Sequence, residues 1–89
     1  MTVHLTGRLI CTTEAEAARV RAHLPEHIRL TRAEPGCLRF EVTPLDPLTW
    51  QVAEEFTDRA AFDAHQARTA GSEWFRQTRG IRRDFALRG

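Results

Sequence analysis

Two side chains in this sequence are placed to do proton chemistry. His65 shares a helical face with Ala61 and Phe62, and Glu54 stands between Val52 and Phe56 in an alternating apolar stretch. Imidazole titrates near neutral pH, which suits it to general-base work. An inward carboxylate among apolar neighbours has a raised pKa unless it is paired, a property common at sites of binding and catalysis. Each residue also has a purely structural reading. His65 would then be a core histidine bonded to a backbone carbonyl or to Glu54, and Glu54 the ion-pair partner of Arg83 from the last strand.

Around this pair the spacing gathers a slot for a flat molecule. Gly7, alone among strand residues in lacking a side chain, marks either a bulge or a gap left for a ligand against the sheet. Trp50, Phe56, Phe62, Trp74 and Phe75 would wall it, with Arg83 as a further polar contact, although aromatics at such spacing also make ordinary core. The remaining candidates are weaker. His23 and His27 are four apart on a helix, as zinc ligands often are, but Pro25 intervenes and neither His4 nor another residue supplies a third ligand. Two solvated histidines and no metal site are expected. Cys37 is expected to be buried and inert, Cys11 has no cationic partner, and Ser72, the only serine, reads as a helix cap.

Composition narrows the chemistry. The 89 residues include no Lys, Asn or Tyr, so all 13 basic residues are Arg. This excludes Schiff-base chemistry, a phosphate-loop lysine and a phenolic general acid. A net charge of +1 gives no footprint for nucleic acid. Two cysteines are too few for a disulfide framework. No apolar run approaches the roughly 20 residues of a membrane span, and no leader-like segment precedes Thr2–Ile10. The chain reads as one cytoplasmic domain over residues 1–89 with no membrane partner.

The elements that must position these residues follow from periodicity. Met1–Thr12 alternates as a strand, with Val3, Leu5, Gly7 and Leu9 on one face. Thr13-Glu14-Ala15-Glu16 fits a capping box, opening a helix whose stripe is Ala17, Val20, Leu24, Ile28 and Thr31. Pro25 should kink or divide that helix, which stops at Glu34-Pro35-Gly36. Cys37–Thr43 reads as a second strand with Leu38, Phe40 and Val42 inward, Pro44–Pro47 as a turn, and Leu48–Thr57 as a third strand. Asp58 caps a helix over Arg59–Arg68, Gly71 breaks it, a short turn carries Trp74 and Phe75, and Ile81–Leu87 closes the chain as a strand. The order β-α-β-β-α-β is the ferredoxin-like α+β arrangement, an antiparallel sheet with its helices on one face.

The second face of that sheet carries His4, Thr6, Arg8, Arg39, Glu41, Gln51 and Glu55, with Ile10, Cys37, Ala53 and Ala86 between them. It is either simply solvated or covered by a second copy across a two-fold axis, with Arg8 and Arg39 pairing with Glu41 and Glu55.

The string Arg32-Ala33-Glu34-Pro35-Gly36-Cys37-Leu38-Arg39-Phe40-Glu41 resembles a segment of the antibiotic biosynthesis monooxygenase domain family, and Glu54-Glu55-Phe56 and Phe62-Asp63-Ala64-His65 continue the likeness. The resemblance implies a dimeric α+β barrel, two four-stranded sheets face to face, with a pocket between sheet and helices sized for an aromatic or quinone-like molecule. It also implies oxygenation without metal or flavin, in which His65 removes a phenolic proton and Glu54 or an Arg anchors the substrate. Haem-degrading members use an Asn, a Trp and a His where this chain has Gly7, Phe56 and His65, which argues against haem breakdown. The missing Asn, Tyr and strand-three Trp leave open a second class of function, a non-catalytic small-molecule-binding or scaffolding dimer.

Overall fold

The computed structural model describes residues 1–89. Four strands and three helices follow in the order β1 (Val3–Ile10), α1 (Glu14–Arg32), β2 (Cys37–Asp46), β3 (Thr49–Phe56), α2 (Arg59–Ala70), α3 (Glu73–Thr78) and β4 (Arg82–Arg88). The sheet order is β2-β3-β1-β4, with every neighbouring pair antiparallel. This is the ferredoxin-like α+β arrangement, with the short turn around Trp74 drawn into a helix of its own. No helix is long and apolar enough to cross a membrane.

The inner sheet face follows the alternation of the strands. Val3, Leu5 and Leu9 of β1, Phe40 of β2, and Trp50, Val52 and Phe56 of β3 are buried against Ala17, Val20 and Leu24 of α1 and Phe62 of α2. α1 begins where Thr13 accepts a hydrogen bond from the Glu16 amide, while Glu16 reaches back to the Thr12 amide at 2.7 Å. Contrary to the expected break, α1 runs unbroken through Pro25. Pro25 lies on the exposed side, so the Arg21 carbonyl that loses its donor faces solvent rather than the core.

β2 departs from its expected form at both ends. It continues through Pro44 to Asp46, because β2 is an edge strand and a missing amide there disrupts no second ladder. At its start, Cys37 pairs with Phe56 but Arg39 with Glu55, leaving Leu38 as an extra residue. That bulge turns Leu38 outward, 53% exposed, and turns Cys37 inward against the core. β4 begins one residue later than its alternation suggests, although Ile81 remains buried.

Candidate active site

A cavity of about 250 Å³ lies between the helices and the inner sheet face, and all seven elements contribute to its wall. Most of the lining is apolar, with His27, Glu54, His65, Gln66, Thr69 and Arg83 supplying polar groups.

His65 reaches this wall because Asp58 caps α2 by accepting from the Ala61 amide at 2.8 Å. The helix then carries Phe62 and His65, three residues apart, onto the same inward face. The imidazole is buried between Phe56 and Phe40, at centroid distances of 5.0 and 5.7 Å. Its partner is neither Glu54 nor a backbone carbonyl but Glu34, whose Oε1 lies 2.7 Å from Nδ1. Glu34 Oε2 in turn accepts from Arg68 Nε at 2.8 Å, and Arg68 donates to Thr31 Oγ1 at 3.0 Å. With Nδ1–H donated to Glu34, Nε2 is the basic nitrogen. Burial pushes the His65 pKa below its ordinary value, and the Glu34 hydrogen bond and charge only partly restore it. Burial alone would raise the Glu34 carboxyl, but hydrogen bonds from Arg68 and His65 outweigh it and hold that pKa low. At neutral pH the arrangement is a neutral imidazole oriented by a carboxylate.

Glu34 reads in the sequence as part of a helix stop and of the family-like string, with no role of its own in the site. Its place depends on Gly36, whose φ of +87° turns the chain directly after α1. A Cβ on Gly36 would lie 2.6 Å from the Ala61 Cβ and 2.8 Å from Thr57 Oγ1, so only glycine lets this corner close on α2. The closed corner is what sets Glu34 beside His65, 31 residues further along the chain.

Glu54 faces His65 from β3. Its Oε1 is 3.7 Å from His65 Nε2, within ion-pair range but too far for a hydrogen bond, and has no other partner. Burial, followed by the negative charge of Glu34, pushes the Glu54 pKa up to about 7. The alternative pairing with Arg83 does not form. Arg83 spends its donors on the Thr78 and Ile81 carbonyls, at 2.8 and 3.0 Å, and on Thr78 Oγ1 at 2.9 Å. Two titratable groups thus face one apolar space, one neutral and basic, the other inclined to keep its proton.

The other sequence candidates divide. Trp74, Phe75 and Arg83 line the cavity. Trp50, Phe56 and Phe62 are buried in the core outside its lining, with Phe56 packed edge-on to Phe62 at 5.8 Å and supporting His65 from behind. Gly7 is neither a bulge nor an open gap, since β1 pairs continuously on both sides and the space over Gly7 is filled by Phe85. Phe85 itself lines the cavity, so the glycine shapes the site indirectly. His27, expected in solvent, is buried and stacks on Trp74 with centroids 4.8 Å apart and planes 6° from parallel. It is missed because the apolar stripe of α1 runs through Ile28, the half-buried neighbour of His27. Burial raises the pKa of both cysteine thiols, leaving them protonated at neutral pH. No group of three or more His, Cys, Asp or Glu is arranged to hold a metal ion. Arg8, Arg39, Glu41 and Glu55 all lie on the sheet face away from the helices, where Arg39 bonds Glu41 at 3.0 Å and His4 contacts Glu55 at 3.2 Å.

Comparison with known proteins agrees with the fold. Among solved structures, SnoaB of Streptomyces nogalater, a cofactor-independent oxygenase, superposes with a TM-score of 0.81 at 14% identity, covering 99% of this chain and 91% of that one. A Nitrosomonas europaea protein described as of the antibiotic biosynthesis monooxygenase type gives 0.84 at 17% identity, covering 99% and 88%. Rv0793 of Mycobacterium tuberculosis gives 0.74 at 24% identity, covering 100% and 94%. At these identities the likeness is one of fold. No curated protein sequence matches the chain. The profile of the family named Antibiotic biosynthesis monooxygenase matches residues 5–77, most of the 89. On that match the chain belongs to the antibiotic biosynthesis monooxygenase family.

Proposed function

We propose that this protein is a monooxygenase that binds a small aromatic, quinol-like substrate in the cavity between helices and sheet and oxygenates it without a resident cofactor. The observation that carries the reading is the facing pair, His65 Nε2 and Glu54 Oε1, 3.7 Å apart on the wall of an apolar cavity, with His65 Nδ1 held by Glu34. A phenolic oxygen set against that pair gives its proton to Nε2, while protonated Glu54 donates a hydrogen bond to the phenolate that forms. The electron-rich phenolate then passes one electron to O2, and the two radicals combine at a ring carbon as a peroxide. Loss of the proton on that carbon and cleavage of the O–O bond leave a quinone, and the second oxygen departs as water. One phenol and one O2 give one quinone and one H2O, so the substrate supplies every electron. The protein's part is to bind, deprotonate and exclude solvent.

The size of the cavity supports a small substrate. An apolar cavity of about 150 Å³ accepts benzene, so about 250 Å³ suits one ring with substituents. The same reading includes a homodimer through the sheet face carrying Arg8, Arg39, Glu41 and Glu55, which would cover that face and leave a cavity in each protomer. Oxygen uptake with hydroquinone tests the proposal. Turnover should fall at least about a hundredfold in His65→Ala, and unchanged turnover would remove His65 from the chemistry. Absence of both binding and turnover in the wild type would favour the non-catalytic dimer.

A further inference from the structure

Three buried side-chain polar atoms in this chain have no hydrogen-bond partner: His27 Nδ1, Glu54 Oε1 and Thr69 Oγ1. They come from α1, β3 and α2, yet all three residues line the same cavity. Buried polar groups are almost always paired, and each orphan costs about 1–3 kcal/mol. Three in one place mark a space whose complement is a molecule with polar atoms at more than one position.

Glu54 belongs to the proton-transfer pair, but His27 does not. Its ring is 5% exposed, lies flat on Trp74, meets the edge of Phe40 at 5.3 Å and stands 6.0 Å from the His65 ring. These contacts fix the plane of the imidazole without satisfying its Nδ1. We propose that His27 is a second ligand-recognition residue, hydrogen-bonding an uncharged oxygen substituent of the aromatic ring while another oxygen of that ring meets His65 and Glu54. The inference rests on the cavity being the substrate site and adds which residue meets the second oxygen of a quinol.

An uncharged oxygen suits this position because the imidazole that meets it carries no charge of its own. Burial pushes the His27 pKa down to about 3, with the charges of His65 and Arg68 adding to the effect, so the ring stays neutral and offers one donor and one acceptor. Arg83, the cation in the wall, gives three N–H bonds to uncharged oxygens of Thr78 and Ile81 and pairs with no carboxylate, so an anionic substituent would be drawn to Arg83 rather than to His27. A hydroxyl or carbonyl therefore fits His27.

The test is calorimetric binding under nitrogen, so that no oxidation intervenes, using phenol, catechol, resorcinol and hydroquinone. At least one benzenediol should bind the wild type about tenfold or more tighter than phenol. His27→Phe keeps the stack on Trp74 and should erase the diol preference while leaving phenol affinity within about twofold. A second measurement needs no variant. In protein labelled with 15N at histidine, a benzenediol should shift the ring nitrogens of both His27 and His65, and phenol those of His65 alone. Equal affinity for phenol and all three diols, or a preference that survives His27→Phe, would overturn the role of His27 while leaving the cavity as the site. Failure of every phenol to bind would overturn both.

Discussion

Glu34 and His65, 31 residues apart in the chain, are joined by a 2.7 Å contact between Oε1 and Nδ1 at the corner where α1 ends and α2 passes. The carboxylate decides which imidazole nitrogen carries the proton and which one faces Glu54. Glu34 does not line the cavity, so it acts through His65 as a positioning residue. Glu34→Gln keeps the shape but removes the charge that holds the His65 pKa up. The acid limb of the kcat profile should therefore move to lower pH, and kcat should fall about tenfold or more with KM nearly unchanged. Glu34→Asp should recover part of the loss. A uniform loss with no movement of the pH limb would mean that Glu34 is merely structural.

The raised pKa of Glu54 predicts a stability effect of definite sign. In the unfolded chain this carboxyl titrates near 4.5, and in the folded protein near 7, so between those values the folded state holds the extra proton. Its contribution is intact below about pH 4.5 and is lost as the pH rises through 7. Relative to wild type, Glu54→Gln should gain stability between pH 4 and pH 8, by at most roughly 3 kcal/mol for a shift of that size. Urea melts at the two pH values give the difference. A variant that loses ground at pH 8 would mean that Glu54 is paired as an anion.

The same pair sets the form of the rate profile. His65 must be neutral to accept a proton, and its lowered pKa places the rising limb of kcat/KM below pH 6.5. Glu54 must hold its proton to support the phenolate, so the falling limb should lie near pH 7. Glu54→Gln should abolish the falling limb alone.

Gly7 offers a test of the sheet beneath the site. A Cβ there would sit 2.1 Å from the Asp84 carbonyl oxygen and 2.9 Å from Phe85 Cδ1. Gly7→Ala must therefore force β4 away from β1, at a cost of about 2–4 kcal/mol. Adding Phe85→Ala relieves the ring contact but not the backbone clash, so most of the loss should persist in the double variant. Full rescue would show that only the ring is in the way.

The extent to which the site is legible in the sequence follows from the range of each interaction. Alternation in β1 and β3 places Leu5, Val52 and Glu54 inward because side-chain direction in a strand is a local property. The three-residue step from Phe62 to His65 works in the same way on α2. Glu34 and His27 are not legible by this route. Glu34 gains its role from a glycine corner that no periodicity describes, and His27 from a face of α1 wider than its apolar stripe. Pro25 misleads because its cost depends on which side of the helix the freed carbonyl faces. Leu38 misleads because one extra residue in β2 reverses the parity before it.

The sheet face opposite the helices provides the last test. At its middle, Thr6 pairs with Ala53 on one side and Ala86 on the other, so three small side chains make a flat centre. The Arg39–Glu41 and His4–Glu55 contacts lie around it. A flat centre lets a second sheet approach to the roughly 10 Å at which sheets pack, and charges at the rim then fix the register. Arginine at Thr6 would put two buried cations near the two-fold axis without touching the core of either protomer, because Thr6 is exposed in the single chain. Equilibrium sedimentation should give twice 10.2 kDa for the wild type and the single mass for Thr6→Arg, with far-UV circular dichroism unchanged. A monomeric wild type would leave this face to solvent. The ion pairs would then act only within the chain, where exposed contacts of this kind contribute about 1 kcal/mol or less.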